Sequence, residues 1–280
     1  TQGVSSAASD VYKRQVLPCA IAMAQLTLLF RAGQGAGDFQ VISVLVWFCG
    51  LVLWFECSED FRRPCWRRTA ALSLVPIVWS LLVLSRPFTV YDPLINAVPL
   101  ATLLGLAWLI PLGLFRRFVL LGLLPLLHYA LIGLIATEPL EALTASVAGF
   151  LLWLGGQNVV AAGNQLLLSD RVVEVAVGCT SLNAQSLGLA TVIALLALNG
   201  PLRRSRLCLL LLFSPLLAFL LNAVRIMVLA VATTSPHLNA QQTIQGFDFW
   251  HTGSGSNLFS LALVLLLFLA EHLIRSAPES

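Results

Sequence analysis

Apolar runs of roughly bilayer length follow one another along this chain, most of them ended by a short polar stretch carrying arginine. That alternation constrains the fold more than any single motif. An apolar run of about 20 residues surrounded by hydrocarbon must satisfy its N–H and C=O groups internally, and a helix does so. Composition agrees: 58% of the 280 residues are hydrophobic and only 10% are charged, whereas soluble domains average about a quarter charged. Mean hydropathy is +0.89. No water-facing surface can be assembled from that inventory. A net charge of +3 is too small to suggest a nucleic-acid partner, no basic stripe interleaves with aromatics, and none is expected.

The pattern predicts an all-α polytopic membrane protein with eight spans, at 16–30, 40–55, 69–85, 94–114, 118–136, 182–198, 207–232 and 256–274. Residues 1–15 are polar and read as a non-native or disordered leader; 16–280 read as one integral membrane domain. Arginines orient the spans, because basic loops stay cytoplasmic. Arg62, Arg63, Arg67 and Arg68 follow the second span, Arg116 and Arg117 the fourth, Arg203, Arg204 and Arg206 the sixth, and Arg275 the eighth. The alternate loops hold only Arg31, Arg86 and Arg171. Both termini are therefore expected inside, with loops 31–39, 86–93, 137–181 and 233–255 outside.

Segment 138–156 is apolar enough to suggest a ninth crossing. However, Glu138, Pro139, Glu141, Thr144 and Ser146 crowd its start, and a crossing there would invert every later loop. An interfacial or re-entrant helix is expected instead. The β-branched stretch Asn158–Val177, with a turn signal at Gly163-Asn164, predicts a short outer-face hairpin.

Ionisable residues inside hydrocarbon are expensive, which makes each one a functional candidate. Arg225 is the clearest, in the seventh span, and Asn222 three positions earlier shares its face. Cys179 lies where the outer hairpin runs into the sixth span, and a thiol beside a helix N-terminus has its thiolate favoured. Cys19, Cys49 and Cys208 read as inert small hydrophobes, and Cys57 and Cys65 as reduced thiols flanking the arginine cluster. Zinc-type spacing is absent from all six cysteines, and neither a metal nor a cofactor is implied. His251 stands at the outer entrance to the eighth span, behind Trp250. His128, His237 and His272 read as structural. The arginine-based orientation brings Cys179, Arg225 and His251 to one side of the membrane. Together they suit acyl transfer: a thiol nucleophile, an imidazole moving its proton, and a cation for the oxyanion. Asn222 and Asp248 are supporting candidates, Asp248 either orienting the imidazole or standing as a solvated carboxylate.

These three motifs resemble those of the exosortase/archaeosortase family. The family pattern is a cysteine at an outer helix start, an Asn-x-x-Arg in a later span and a final histidine segment. Here it falls on Cys179, on Asn222 with Arg225, and on His251. Phe247–Ser260 looks most like the cyanobacterial branch, the cyanoexosortases. Agreement covers about residues 137–274, the catalytic part, while the earlier spans agree only in kind. Ser181 departs from the glycine usual two residues after the cysteine, although serine also serves at a helix start.

The resemblance implies a cysteine transpeptidase of the bacterial cytoplasmic (inner) membrane, its site facing the periplasm or outside. Its implied substrates are exported proteins with a C-terminal sorting signal of PEP-CTERM type, passed to an unnamed acceptor. Three rivals fit less well. A transporter is expected to show repeated halves and intramembrane carboxylates, and here only Glu271 lies within a span. A serine protease built on Ser254 lacks a well-placed second histidine, and a quinone-linked redox protein would want paired outer cysteines.

Overall fold

The computed structural model describes residues 19–31, 37–56, 78, 85, 93–106, 112–232, 246–251 and 254–277. Its helices are α1 (Cys19–Arg31), α2 (Gly37–Glu56), α3 (Pro93–Asn96), α4 (Val98–Leu106), α5 (Leu112–Leu134), α6 (Glu138–Leu154), α7 (Leu182–Asn199), α8 (Arg204–Ala232), α9 (Phe247–His251) and α10 (Ser254–Ser276). Three short strands, β1 (Val159–Ala162), β2 (Gln165–Leu168) and β3 (Val172–Glu174), and a 3-10 turn (Val177–Cys179) lie between α6 and α7.

Among the described residues, four segments are long and apolar enough to cross a membrane: Leu114–Leu131, Val177–Asn199, Arg204–Ala232 and Phe247–Ser276. They coincide with the last four expected spans. Cys19–Arg31 and Gln40–Glu56 are shorter apolar helices over the first two. Within the expected span at 94–114 lie α3, α4 and the start of α5, and its residues 107–111 lie outside the described ones. Apart from Val78 and Ser85, the span at 69–85 lies outside the described residues, as do the 1–15 leader, His237, Cys57 and Cys65.

The chain divides into two compact units, one of Thr1–Gly33, Ile42–Tyr129 and Ile193–Pro201, the other of Gln34–Val41, Ala130–Val192 and Leu202–Ser280. In the first, Ile21, Ala22, Trp47 and Val98 form a buried cluster. Gln25 joins its helices: its Nε2 donates to the Ile95 carbonyl at 2.9 Å, and its Oε1 accepts from Trp47 Nε1. In an apolar setting such a side-chain amide is glue between helices, since leaving it unpaired is costly.

The second unit carries the candidate site. The stretch read as a hairpin is a three-stranded antiparallel meander, with Ala162 opposite Gln165 and Gln165 opposite Glu174. Its first turn needs φ of +62° at Gly163, as the Gly163-Asn164 signal predicts. The second turn, through Asp170, uses no glycine and so left no comparable mark. Segment 138–156 forms α6, opened by Pro139 and by Glu138 and Glu141 in its first turn. The small residues Ala145, Ala148 and Gly149 face inward, and α6 packs on α8 and on the sheet. A Cβ on Gly149 would come to 3.1 Å from Leu166 Cδ2. Approach is closer still between α7 and α8, where a Cβ on Gly188 would sit 2.6 Å from Ser214 Oγ.

Candidate active site

Cys179 ends the 3-10 turn that follows β3, and its N–H donates to the Ala176 carbonyl at 2.8 Å. Thr180 is extended, and α7 begins two residues later. Cys179 is 8% exposed and packs with Ala145 and Ala148 of α6 and Ile226 of α8. Ser181, fully buried just before α7, accepts from Gln185 Nε2 at 3.1 Å and so bonds into the first turn of the helix.

His251 closes α9, directly before α10. Its Nε2 lies 3.5 Å from Cys179 Sγ, within reach of a sulfur–nitrogen hydrogen bond. The Phe247 ring, one turn earlier, stacks on the imidazole with centroids 4.9 Å apart and planes 22° apart. Trp250 meets Phe249 and Phe259 edge-on, at 5.0 and 5.9 Å. A Cβ on Gly255 would come within 2.6 Å of Trp250 and 2.8 Å of Phe249, so the fold-back of α9 onto α10 has no room for a side chain there.

Asn222 and Arg225 stand one turn apart on α8, and both act on main-chain carbonyls. Asn222 Nδ2 donates to the Cys179 carbonyl at 3.0 Å. The Arg225 guanidinium donates from Nε to Trp250 O at 3.3 Å and from Nη2 to His251 O at 2.7 Å. One helix face therefore holds the cysteine turn with an amide and the histidine turn with a guanidinium. Arginine suits this task because its fork is planar and its charge persists at any working pH.

Arg225 and Asn222 also line a small open cleft with Thr180, Asn183, Ser256 and Ser260. Among the described residues of that lining, the guanidinium is the one formal charge. A site of this kind favours groups that carry or develop negative charge.

The structure thus brings Cys179, Asn222, Arg225 and His251 together, and leaves Asp248 exposed on α9. Phe247 is a contributor that sequence reasoning missed. Its only signal was its position four residues before His251, the spacing at which helical side chains meet. His128 lies buried in the other unit and His272 is exposed on α10. Among the described residues, Cys19, Cys49, Cys179 and Cys208 are free thiols, and no three His, Cys, Asp or Glu side chains converge as metal ligands do.

No curated protein and no solved structure matches the chain. A family model does, the one described as transmembrane exosortase (Exosortase_EpsH), over residues 16–268. That match takes in the apolar helices of both units and every residue of the cysteine–histidine arrangement, and this integral membrane protein belongs to the transmembrane exosortase family.

Proposed function

We propose that the protein is a membrane-embedded cysteine transpeptidase that cuts a C-terminal sorting signal of PEP-CTERM type from exported proteins at the outer face and passes them to an acceptor. The observation that carries this reading is the 3.5 Å approach of Cys179 Sγ to His251 Nε2. In the first step His251 takes the thiol proton and the sulfur adds to the scissile carbonyl. The tetrahedral oxyanion forms beside Arg225, whose charge stabilises it. Collapse breaks the C–N bond, the imidazolium gives its proton to the leaving amine, and a thioester remains. The acceptor nucleophile then adds to the thioester, its proton passes to His251, and the thiol is released with that proton.

Asp248 is assigned a minor part, because Phe247 already stacks on the ring and Arg225 already holds the His251 main chain. The reading includes eight spans with both termini in the cytoplasm, α6 lying at the outer surface of the inner membrane, and membership of the cyanoexosortase branch. Glu141 on the buried face of α6 supports the non-crossing role, since a carboxylate within a crossing helix is costly.

The test is processing of a tail-bearing substrate by Cys179→Ala, His251→Ala and Arg225→Ala, each first shown to reach the membrane at parental level. Cleavage is expected to fall about 10³-fold or more for the cysteine variant and about 10²-fold or more for the other two. Parental cleavage by Cys179→Ala would refute the mechanism.

A further inference from the structure

Away from the thiol, Glu141 is a buried carboxylate that the chemistry above does not use. It is 8% exposed, and its Oε1 is buried without a hydrogen-bond partner. Its other oxygen, Oε2, lies 3.5 Å from Asn164 Nδ2. The same amide nitrogen lies 3.4 Å from Glu174 Oε1 and 3.4 Å from the Val175 carbonyl. Three acceptors thus share one NH₂ group, which has two hydrogens, and all three distances are at the outer limit for such bonds. Neither carboxylate pairs with a lysine, arginine or histidine among the described residues. A buried carboxylate is normally paired, because its desolvation is otherwise uncompensated.

The arrangement has the makings of a cation site. The oxygen and nitrogen of an asparagine amide are equivalent in shape. With the amide turned over, Asn164 Oδ1 would add a fourth oxygen beside Glu141 Oε2, Glu174 Oε1 and Val175 O, each 3.4 to 3.5 Å from that amide atom. One turn along α6, Thr144 Oγ1 is also buried without a partner. Carboxylate, amide and carbonyl oxygens without sulfur or imidazole are the ligands of a hard cation, and calcium tolerates such an irregular set better than magnesium does. We propose that Glu141, Asn164, Glu174 and the Val175 carbonyl bind a divalent cation, calcium by ligand type, that fastens the sheet to α6.

The site would act on the segment that carries the thiol. Val175 is buried beside Cys179, its N–H donates to Asn164 O at 2.8 Å, and the 3-10 turn starts two residues after it. A cation there would fix the start of that turn. The inference does not depend on the transpeptidase reading, and its test needs no substrate.

The full chain, purified in detergent and freed of metal, is equilibrated with radioactive calcium alone, and its thermal midpoint is read with and without calcium. Saturable binding of about one equivalent in the range of about 10⁻⁴ to 10⁻³ M is expected, as for weakly charged extracellular calcium sites. The midpoint is expected to rise by about 5 °C near saturation. Glu141→Gln and Glu174→Gln should each weaken binding at least about tenfold and abolish the rise, since each removes a charged ligand. Because Glu174 is exposed, its variant decides the matter if Glu141→Gln does not fold. Asp170→Asn, an exposed carboxylate on the neighbouring turn, should bind as the parent does. Absence of saturable binding by the parent, or parental binding by Glu174→Gln, would overturn the site.

Discussion

At the scale of single residues, the site is held through main-chain carbonyls. Asn222 and Arg225 hold the Cys179, Trp250 and His251 carbonyls, so their substitution should misplace the reacting groups without touching them. Arg225→Lys keeps the charge but loses the fork. Its cleavage is expected to stay within about tenfold of Arg225→Ala and far below the parent, measured as kcat on a tail-bearing peptide. Asn222→Asp removes the donor while preserving shape and sets a carboxylate against a carbonyl oxygen; a loss of about 10-fold or more is expected, with Asn222→Gln partly restoring activity. The candidates were legible because an arginine or asparagine inside a long apolar run stands out chemically. Their bonding partners were not, since a carbonyl oxygen belongs to every residue and leaves no trace in the sequence. Phe247 escaped for a related reason: an aromatic residue beside a membrane segment is ordinary until a ring is found against it.

At the scale of elements, close packing of helices makes the sharpest prediction. Gly188→Ala would drive a methyl group to 2.6 Å from Ser214 Oγ. The Ser214 side chain is fully buried, and Pro215 follows it inside α8, so the neighbour has little room to yield. Gly188→Ala should lower the thermal midpoint by several degrees, about 1–3 kcal/mol of overpacking, and a second change of Ser214→Ala should recover most of it. Simple additivity of the two changes would argue against this contact. Element types were largely readable: the bilayer-length runs became α5, α7, α8 and α10, and Gly163 marked the first turn of the sheet. The third strand was harder to see. Val172–Glu174 is only three residues long, and the turn before it carries no glycine, so nothing separated it from the hairpin it extends.

At the scale of the whole molecule, orientation is the property most open to test. The arginine distribution expects the sheet outside and the end of α10 inside. Cysteine introduced at Ser169, exposed on the turn after β2, should react with a membrane-impermeant maleimide in intact cells. Cysteine at Ser276, at the end of α10, should react only after the inner face is opened. The reverse pattern would invert the protein and put the thiol site on the cytoplasmic side.

Arginine also binds carbonyls at the far end of α8. Arg206 donates to Arg275 O at 3.4 Å and to Ala277 O at 2.8 Å, tying the start of that helix to the end of α10 just as Arg225 ties it to the histidine turn. At 1.5 Å of rise per residue the two fastenings stand about 28 Å apart, close to the hydrocarbon thickness of a bilayer. Held at Arg206 and Arg225, α8 would, under the proposed transpeptidase function, act as a caliper that sets the depth at which the thiol meets a membrane-anchored chain. The position of the cut along a substrate should therefore follow the length of that substrate's own apolar helix. Lengthening or shortening that helix by one turn should move the scissile bond about 5 Å out of register with the sulfur.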